Sequence, residues 1–249
     1  MSAAGKGSSV DPKEIERFEA MAADWWNPRG TMRALHRLNP VRLRYVRDQI
    51  AGHFGRSSVA LDGLKGLRLA DIGCGAGLLS EPLAKLGGEV VGIDMAATNV
   101  EMAKAHAARS GLAIDYRVLP AEDLETAGER FDVVLAMEIV EHVTDPAAFL
   151  KTCADMVKPG GLLFVATLNR TMKAYALAIV AAEKVLGWVP RGTHDWNKFV
   201  TPAEIEEAVT PQGLAELDRC GVIYNPLLDE WRLSRDTDVN YMMVFSRAA

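Results

Sequence analysis

The residues best suited to chemistry lie in one short run, Met137-Glu138-Ile139-Val140-Glu141-His142. If the run forms one helical turn, Glu138, Glu141 and His142 stand at i, i+3 and i+4 and share a face. Two carboxylates and an imidazole so placed have two chemical uses. They can hold a hard divalent cation, with Mg2+ favoured by the oxygen ligands. Or His142 can act as a general base oriented by a carboxylate, since a free imidazole titrates at about pH 6.5. A solvated turn leading into the next helix is the third reading, and spacing leaves all three open.

A second constellation is Asp71-Ile72-Gly73-Cys74-Gly75-Ala76-Gly77, followed by Asp94 at the end of the next apolar run. Glycines where a strand turns into a helix let the backbone approach a ligand. The dinucleotide fingerprint G-x-G-x-x-G needs glycine at position 78 or 80, which are Leu78 and Ser80, so a nicotinamide cofactor is disfavoured. An acid before three alternating glycines and a second acid ending strand two resemble the Rossmann-like S-adenosylmethionine-dependent methyltransferases. The likeness implies that Gly73, Gly75 and Gly77 pack under the amino-acid portion of S-adenosylmethionine. It implies that Asp94 accepts hydrogen bonds from the ribose hydroxyls, with Met95 and Met137 in the cofactor pocket and Glu122-Asp123 near adenine. The end of strand four lacks the [DNS]-P-P-[YFW] sequence of amino-methylating DNA enzymes, which speaks against a nucleic-acid substrate.

These residues need elements to position them, and the chain supplies an alternating pattern. Leu67–Ile72, Glu89–Ile93, Ile114–Val118, Phe131–Met137 and Leu162–Thr167 read as strands. The intervening segments through Leu86, from Ala97 to Arg109 and from Asp145-Pro146 to Val157 read as helices. Such alternation predicts a parallel sheet covered on both faces. Leu214–Tyr224 and Val239–Ser246 predict an antiparallel C-terminal hairpin. Before the sheet, Asp11-Pro12 opens a helix with Glu14 in a capping box, and Ile15, Phe18, Ala22 and Trp25 repeat at helical spacing. Asn39-Pro40 predicts the start of a second helix carrying Arg42, Arg44 and Arg47. The expectation is an α/β chain with the Rossmann-like class I methyltransferase fold. It has a mostly parallel seven-stranded sheet and an N-terminal helical cap over residues 11–60, after a disordered stretch 1–10.

Composition bounds the possibilities. The 249 residues suffice for one large core, and 49% hydrophobic with 24% charged residues is ordinary for a globular chain. With 28 Lys+Arg against 33 Asp+Glu the net charge is −5, which again argues against nucleic acid. Cys74, Cys153 and Cys220 form no C-x-x-C pair, which fits a reducing compartment. The N-terminus shows no apolar signal region, so a cytoplasmic location is expected.

Several longer blocks are more specific than the glycine loop: residues 18–42 (FEAMAADWWNPRGTMRALHRLNPVR), 71–95, 137–146, 157–171, 189–204 (VPRGTHDWNKFVTPAE) and 238–246. Together they resemble the ubiquinone-biosynthesis O-methyltransferase family from about residue 12 to the end. The resemblance implies two O-methylations of polyprenylated phenols, with S-adenosylmethionine as donor and Arg42 among its contacts. In that family Glu138, Glu141 and His142 match a divalent-metal site. The departures noticed are Ala76 and Leu78 in the glycine loop, and neither removes a proposed contact. An O- or C-methyltransferase of another small phenol is the alternative, and a scaffold protein of a biosynthetic complex is a more distant one.

An apolar insert within residues 172–200, from Ala174 to Val189, is broken only by Glu183-Lys184. It reads either as a lid over the site or as an interfacial helix giving peripheral contact with a membrane, where a polyprenyl substrate resides. His36 and His194 are equally readable as pocket-lining or as structural histidines.

Overall fold

The computed structural model describes residues 12–20, 25–30, 32–177, 195–225, 228 and 230–249. Five strands are parallel: Arg68–Ile72 (β1), Glu89–Asp94 (β2), Asp115–Val118 (β3), Phe131–Met137 (β4) and Val157–Leu168 (β5). Leu214–Asn225 (β6), Glu230–Ser234 (β7) and Asn240–Arg247 (β8) complete the sheet in antiparallel pairings, in the order β3-β2-β1-β4-β5-β8-β6-β7. Strand order reverses between β1 and β4. In open sheets of this kind that reversal, beyond the carboxyl ends of the strands, is where ligands bind.

Every residue of Val133–Met137 is buried, as a central parallel strand covered on both faces requires. Its side chains alternate between two cores. Val134 and Ala136 join Phe149, Leu150, Ile205 and Tyr241 on one face, while Val133, Leu135 and Met137 join Val41, Tyr45, Ile50 and Leu83 on the other. The covering helices are Pro12–Ala20 (α1), Arg33–His53 (α2), Ser80–Lys85 (α3), Ala97–Arg109 (α4), Ala121–Thr126 (α5), Pro146–Asp155 (α6), the short Met172–Ala174 (α7) and Pro202–Val209 (α8). Asp145 caps α6 as expected, its carboxylate accepting from the Ala148 N–H at 3.0 Å.

Two expectations are corrected. Among the described residues the sheet has eight strands rather than seven: the hairpin pair β6–β8 forms, but the chain between them turns back as β7 against Gly221–Asn225. Glu-Trp-Arg-Leu-Ser is half-polar and largely exposed, so it carries no apolar strand pattern, and edge pairing alone defines it. The second helix begins at Arg33, with Pro40 inside it. Its buried stripe Leu38, Val41, Arg42, Tyr45, Val46, Ile50 runs across the proline, so packing of that face outweighs the hydrogen bond that proline cannot donate. Glu14 makes ion pairs with distant groups described below, and the capping partner Asp11, like Ala22, lies outside the described residues.

Candidate active site

The glycine loop leaves the end of β1 and is tied to β2. The N–H groups of Gly73 and Cys74 both donate to the Ile93 carbonyl, at 2.8 and 2.9 Å. Asp94, ending β2, accepts from the Gly75 N–H at 2.9 Å on one oxygen and from the Ala96 N–H at 2.8 Å on the other. Burial raises the Asp94 carboxyl above the ordinary aspartate value, and those two N–H groups pull it back. Each oxygen keeps lone-pair capacity beyond its single backbone bond. Near the end of β1, Asp71 accepts from Ser80 Oγ at 2.5 Å; burial pushes its carboxyl up to about 6, against the pull of Ser80 and Arg42.

The glycines are needed for different reasons. Gly75 has φ +53°, and a Cβ there would enter the ring of Trp25. Gly77 has φ +86°, and its Cβ would meet the Tyr116 hydroxyl. Gly75 therefore admits the N-terminal segment onto the loop, whereas Gly77 serves packing beneath it. Trp25, Met32, Ala76 and Leu78 form one small buried cluster, so the two departures from the family pattern are packing residues. Trp26 donates to the Ala76 carbonyl at 3.1 Å and stacks on His106 with ring centroids 3.4 Å apart. Asn39 donates to the Leu78 carbonyl at 2.8 Å, and Arg42 to the Asn39 side-chain oxygen at 3.2 Å. His36 bonds the Trp25 carbonyl at 2.7 Å, a structural use, and His194 lies outside the described residues.

Buried polar atoms around this loop without a hydrogen-bond partner among the described residues include Trp25 Nε1 and Arg42 Nε, while the buried amide of Asn99 lies against Asp94 and helps to lower its carboxyl. Asn99 stands in the first turn of α4, five residues after Asp94, and the sequence reading missed it. Its fully buried amide is the signal, and burial is not legible in a linear pattern. Unpaired buried donors and acceptors are costly unless something satisfies them, so this lining suits a polar ligand such as S-adenosylmethionine. Met137 is buried at the end of β4 and Met95 half-buried after Asp94, while Glu122 is half-buried at the start of α5.

The Glu138–His142 run differs from the expectation. Only Val140–His142 forms a turn, of 3-10 type, and Glu138 precedes it with φ +60°, the one positive-φ non-glycine among the described residues. That conformation costs on the order of 1–3 kcal/mol and gathers at functional sites. The ladder imposes it: the Glu138 N–H still donates to the Ala166 carbonyl of β5 at 2.8 Å while the chain turns away. The three side chains then go to different partners. Glu138 lies 4.0 Å from Arg42, Glu141 is buried and accepts from Thr167 Oγ1 at 2.7 Å, and His142 Nδ1 meets Glu14 at 3.1 Å. Burial and the neighbouring Glu141 raise the Glu138 carboxyl to about 7. For His142, burial disfavours the charged ring, but Glu14 and Glu141 outweigh it and the pKa is raised. Among the described residues no three His, Cys, Asp or Glu side chains are gathered as a metal-holding group. As arranged here, the hydroxyl of Thr167 engages Glu141 and the carboxylate of Glu14 engages His142.

An open sheet reversing between β1 and β4, a glycine loop at the first crossover and an acid ending β2 define a Rossmann-like class I methyltransferase domain. A methyltransferase-domain family matches residues 70–165. The fold is shared with the magnesium protoporphyrin IX methyltransferase of Synechocystis, solved with bound S-adenosylmethionine (TM-score 0.62, 18% identity, 99% of this chain and 100% of that one). It is shared also with a plantazolicin methyltransferase solved with S-adenosylhomocysteine (TM-score 0.65, 13% identity, 95% and 98%). At the level of sequence, the ubiquinone biosynthesis O-methyltransferase of Parvibaculum lavamentivorans is 58% identical over 241 residues, covering 97% of this chain and 95% of that protein. Its counterpart in Methylobacterium nodulans is 58% identical, with 97% of each chain covered. The chain belongs to the ubiquinone biosynthesis O-methyltransferase family.

Proposed function

We propose that this chain transfers a methyl group from S-adenosylmethionine to the phenolic hydroxyls of polyprenylated ubiquinone precursors, in both O-methylation steps. The observation that carries the reading is the meeting of the glycine loop, Asp94 and Glu138 at the ends of β1, β2 and β4, where strand order reverses. When bound, S-adenosylmethionine supplies an electrophilic methyl group for in-line displacement at carbon.

The protein's share is alignment and proton removal. Asp94 offers its lone pairs to the ribose hydroxyls, the Gly73–Gly77 backbone and Arg42 take the amino-acid end, and Asn99, Met95, Met137 and Glu122 line the rest. Holding two reactants in line supplies up to about 7–11 kcal/mol of the barrier. A phenol has a pKa near 10 and needs a base close by. Glu138, held in its strained conformation beside Arg42, accepts the phenolic proton at its carboxylate. His142, anchored on Glu14, faces the growing phenolate charge, and Glu141 fixes the turn through Thr167. A divalent cation, where bound, would be held by Glu138, Glu141 and His142 and would lower the pKa of a coordinated phenolic hydroxyl.

The reading extends to a membrane. The lipid tail of the substrate and the apolar sequence from Ala174 to Val189 support peripheral contact, and Met172, Tyr175 and Leu177, where that stretch begins, are exposed. Residues 178–194, which carry most of it, lie outside the described residues. Among the described residues no helix is long and apolar enough to cross a membrane. Membership of a ubiquinone-biosynthesis complex rests on the same substrate.

The test is turnover. Purified protein given methyl-labelled S-adenosylmethionine and a demethylated polyprenyl catechol should place the label in a methoxy group. Label on ring carbon, or turnover of simple phenols with none of the prenylated ones, would overturn the substrate assignment.

A further inference from the structure

The acid that touches the catalytic turn comes from the far end of the chain. Glu14 lies on α1, 128 residues before His142, and its Oε2 is 3.1 Å from His142 Nδ1. Its other oxygen, Oε1, accepts from Lys198 Nζ at 3.4 Å, in the turn Trp196–Lys198. Arg17, one turn along α1, approaches Oε2 at 3.5 Å. Glu14 is largely shielded, with 16% of its side chain exposed, against 11% for His142. A single carboxylate thus joins three segments that are remote in sequence, and one of them carries a proposed catalytic group.

We infer that Glu14 is a positioning residue: its carboxylate fixes the ring of His142 from the N-terminal helix, with Lys198 holding the carboxylate in place. An imidazole at the end of a short turn rotates about two side-chain torsions, and a hydrogen bond at Nδ1 removes that freedom and selects the tautomer. The turn itself supplies little restraint. Val140–His142 has three residues, and the His142 N–H donates to the Ile139 carbonyl within the same turn. The orienting carboxylate is therefore neither Glu138 nor Glu141, whose partners are Arg42 and Thr167.

The inference rests on the reading of His142 as part of the site, and the test separates the two. Kinetics of the full chain with S-adenosylmethionine and the polyprenyl catechol would be compared for Glu14→Ala, Glu14→Gln, His142→Ala and the double variant. Glu14→Ala should lower kcat about tenfold or more with both KM values little changed, a share of what a positioned group facing developing charge contributes. Glu14→Gln, whose amide oxygen still accepts from Nδ1–H, should recover part of the loss. In the His142→Ala background Glu14→Ala should cost nothing further. Ring nitrogen NMR shifts of His142 should move in Glu14→Gln with the other histidine signals in place. Equal losses with and without His142, or an effect on KM alone, would overturn the positioning role. Full activity of His142→Ala would instead overturn the placement of His142 in the site.

Discussion

Asp71 combines burial with charge at the base of the glycine loop, only 3% exposed and with its carboxyl raised to about 6 from 3.8. A folded-state value above the unfolded one means that the native protein binds more protons between those limits. Its contribution to stability is therefore complete below about pH 4 and lost as pH rises through about 6. Two units correspond to roughly 3 kcal/mol at most. Asp71→Asn, which can still accept from Ser80, should flatten the stability curve between pH 4 and 6 in urea unfolding followed across pH; an unchanged slope would count against the buried charge. Asp94→Ala removes the acceptor from the Gly75 and Ala96 N–H groups and from the proposed ribose site. Calorimetric titration should show S-adenosylmethionine binding weakened by tenfold or more, since hydrogen bonds to a charged group are worth roughly 1.5–3 kcal/mol.

At the level of elements, two joints hold the site together. The first is the glycine loop under the N-terminal segment. Gly75→Ala meets both a left-handed backbone and the Trp25 ring. The backbone term alone is about 1–2 kcal/mol, so the melting temperature should fall and cofactor affinity with it. Unchanged affinity in a folded variant would show that Trp25 is not part of the cofactor cover. The second is β5 with the turn Val140–His142. Thr167→Val is close in shape but removes the hydroxyl that satisfies the buried Glu141. An unsatisfied buried group costs about 1–3 kcal/mol, to be read as a lower urea midpoint at unchanged slope. These joints explain what was legible locally. Helix Ala97–Arg109 and strand Phe131–Met137 match the sequence expectation at both ends, because their apolar periodicity agrees with their burial. Strand β7 and the start of α2 do not, because edge pairing in one case and packing of a helical face in the other outweigh the local pattern.

For the whole molecule, the apolar insert follows β5, the last parallel strand of the sheet, in the chain. A variant with residues 178–189 replaced by a short Gly/Ser linker should lose co-flotation with anionic vesicles while still binding S-adenosylmethionine. Retained flotation would refute the membrane role of the insert.

The sequence by itself determined the parallel α/β architecture, the glycine loop, both loop acids and the family, because strand–helix periodicity and turn chemistry are local and repeat at fixed spacing. Only the tertiary structure decided how the Glu138–His142 run is used. Its spacing suggested one shared helical face, but the β4–β5 ladder carries Glu138 out of the turn, and Thr167 and Glu14 draw Glu141 and His142 apart. Those partners lie 26 and 128 residues away. Contacts at such separations arise from chain topology, which no local spacing records.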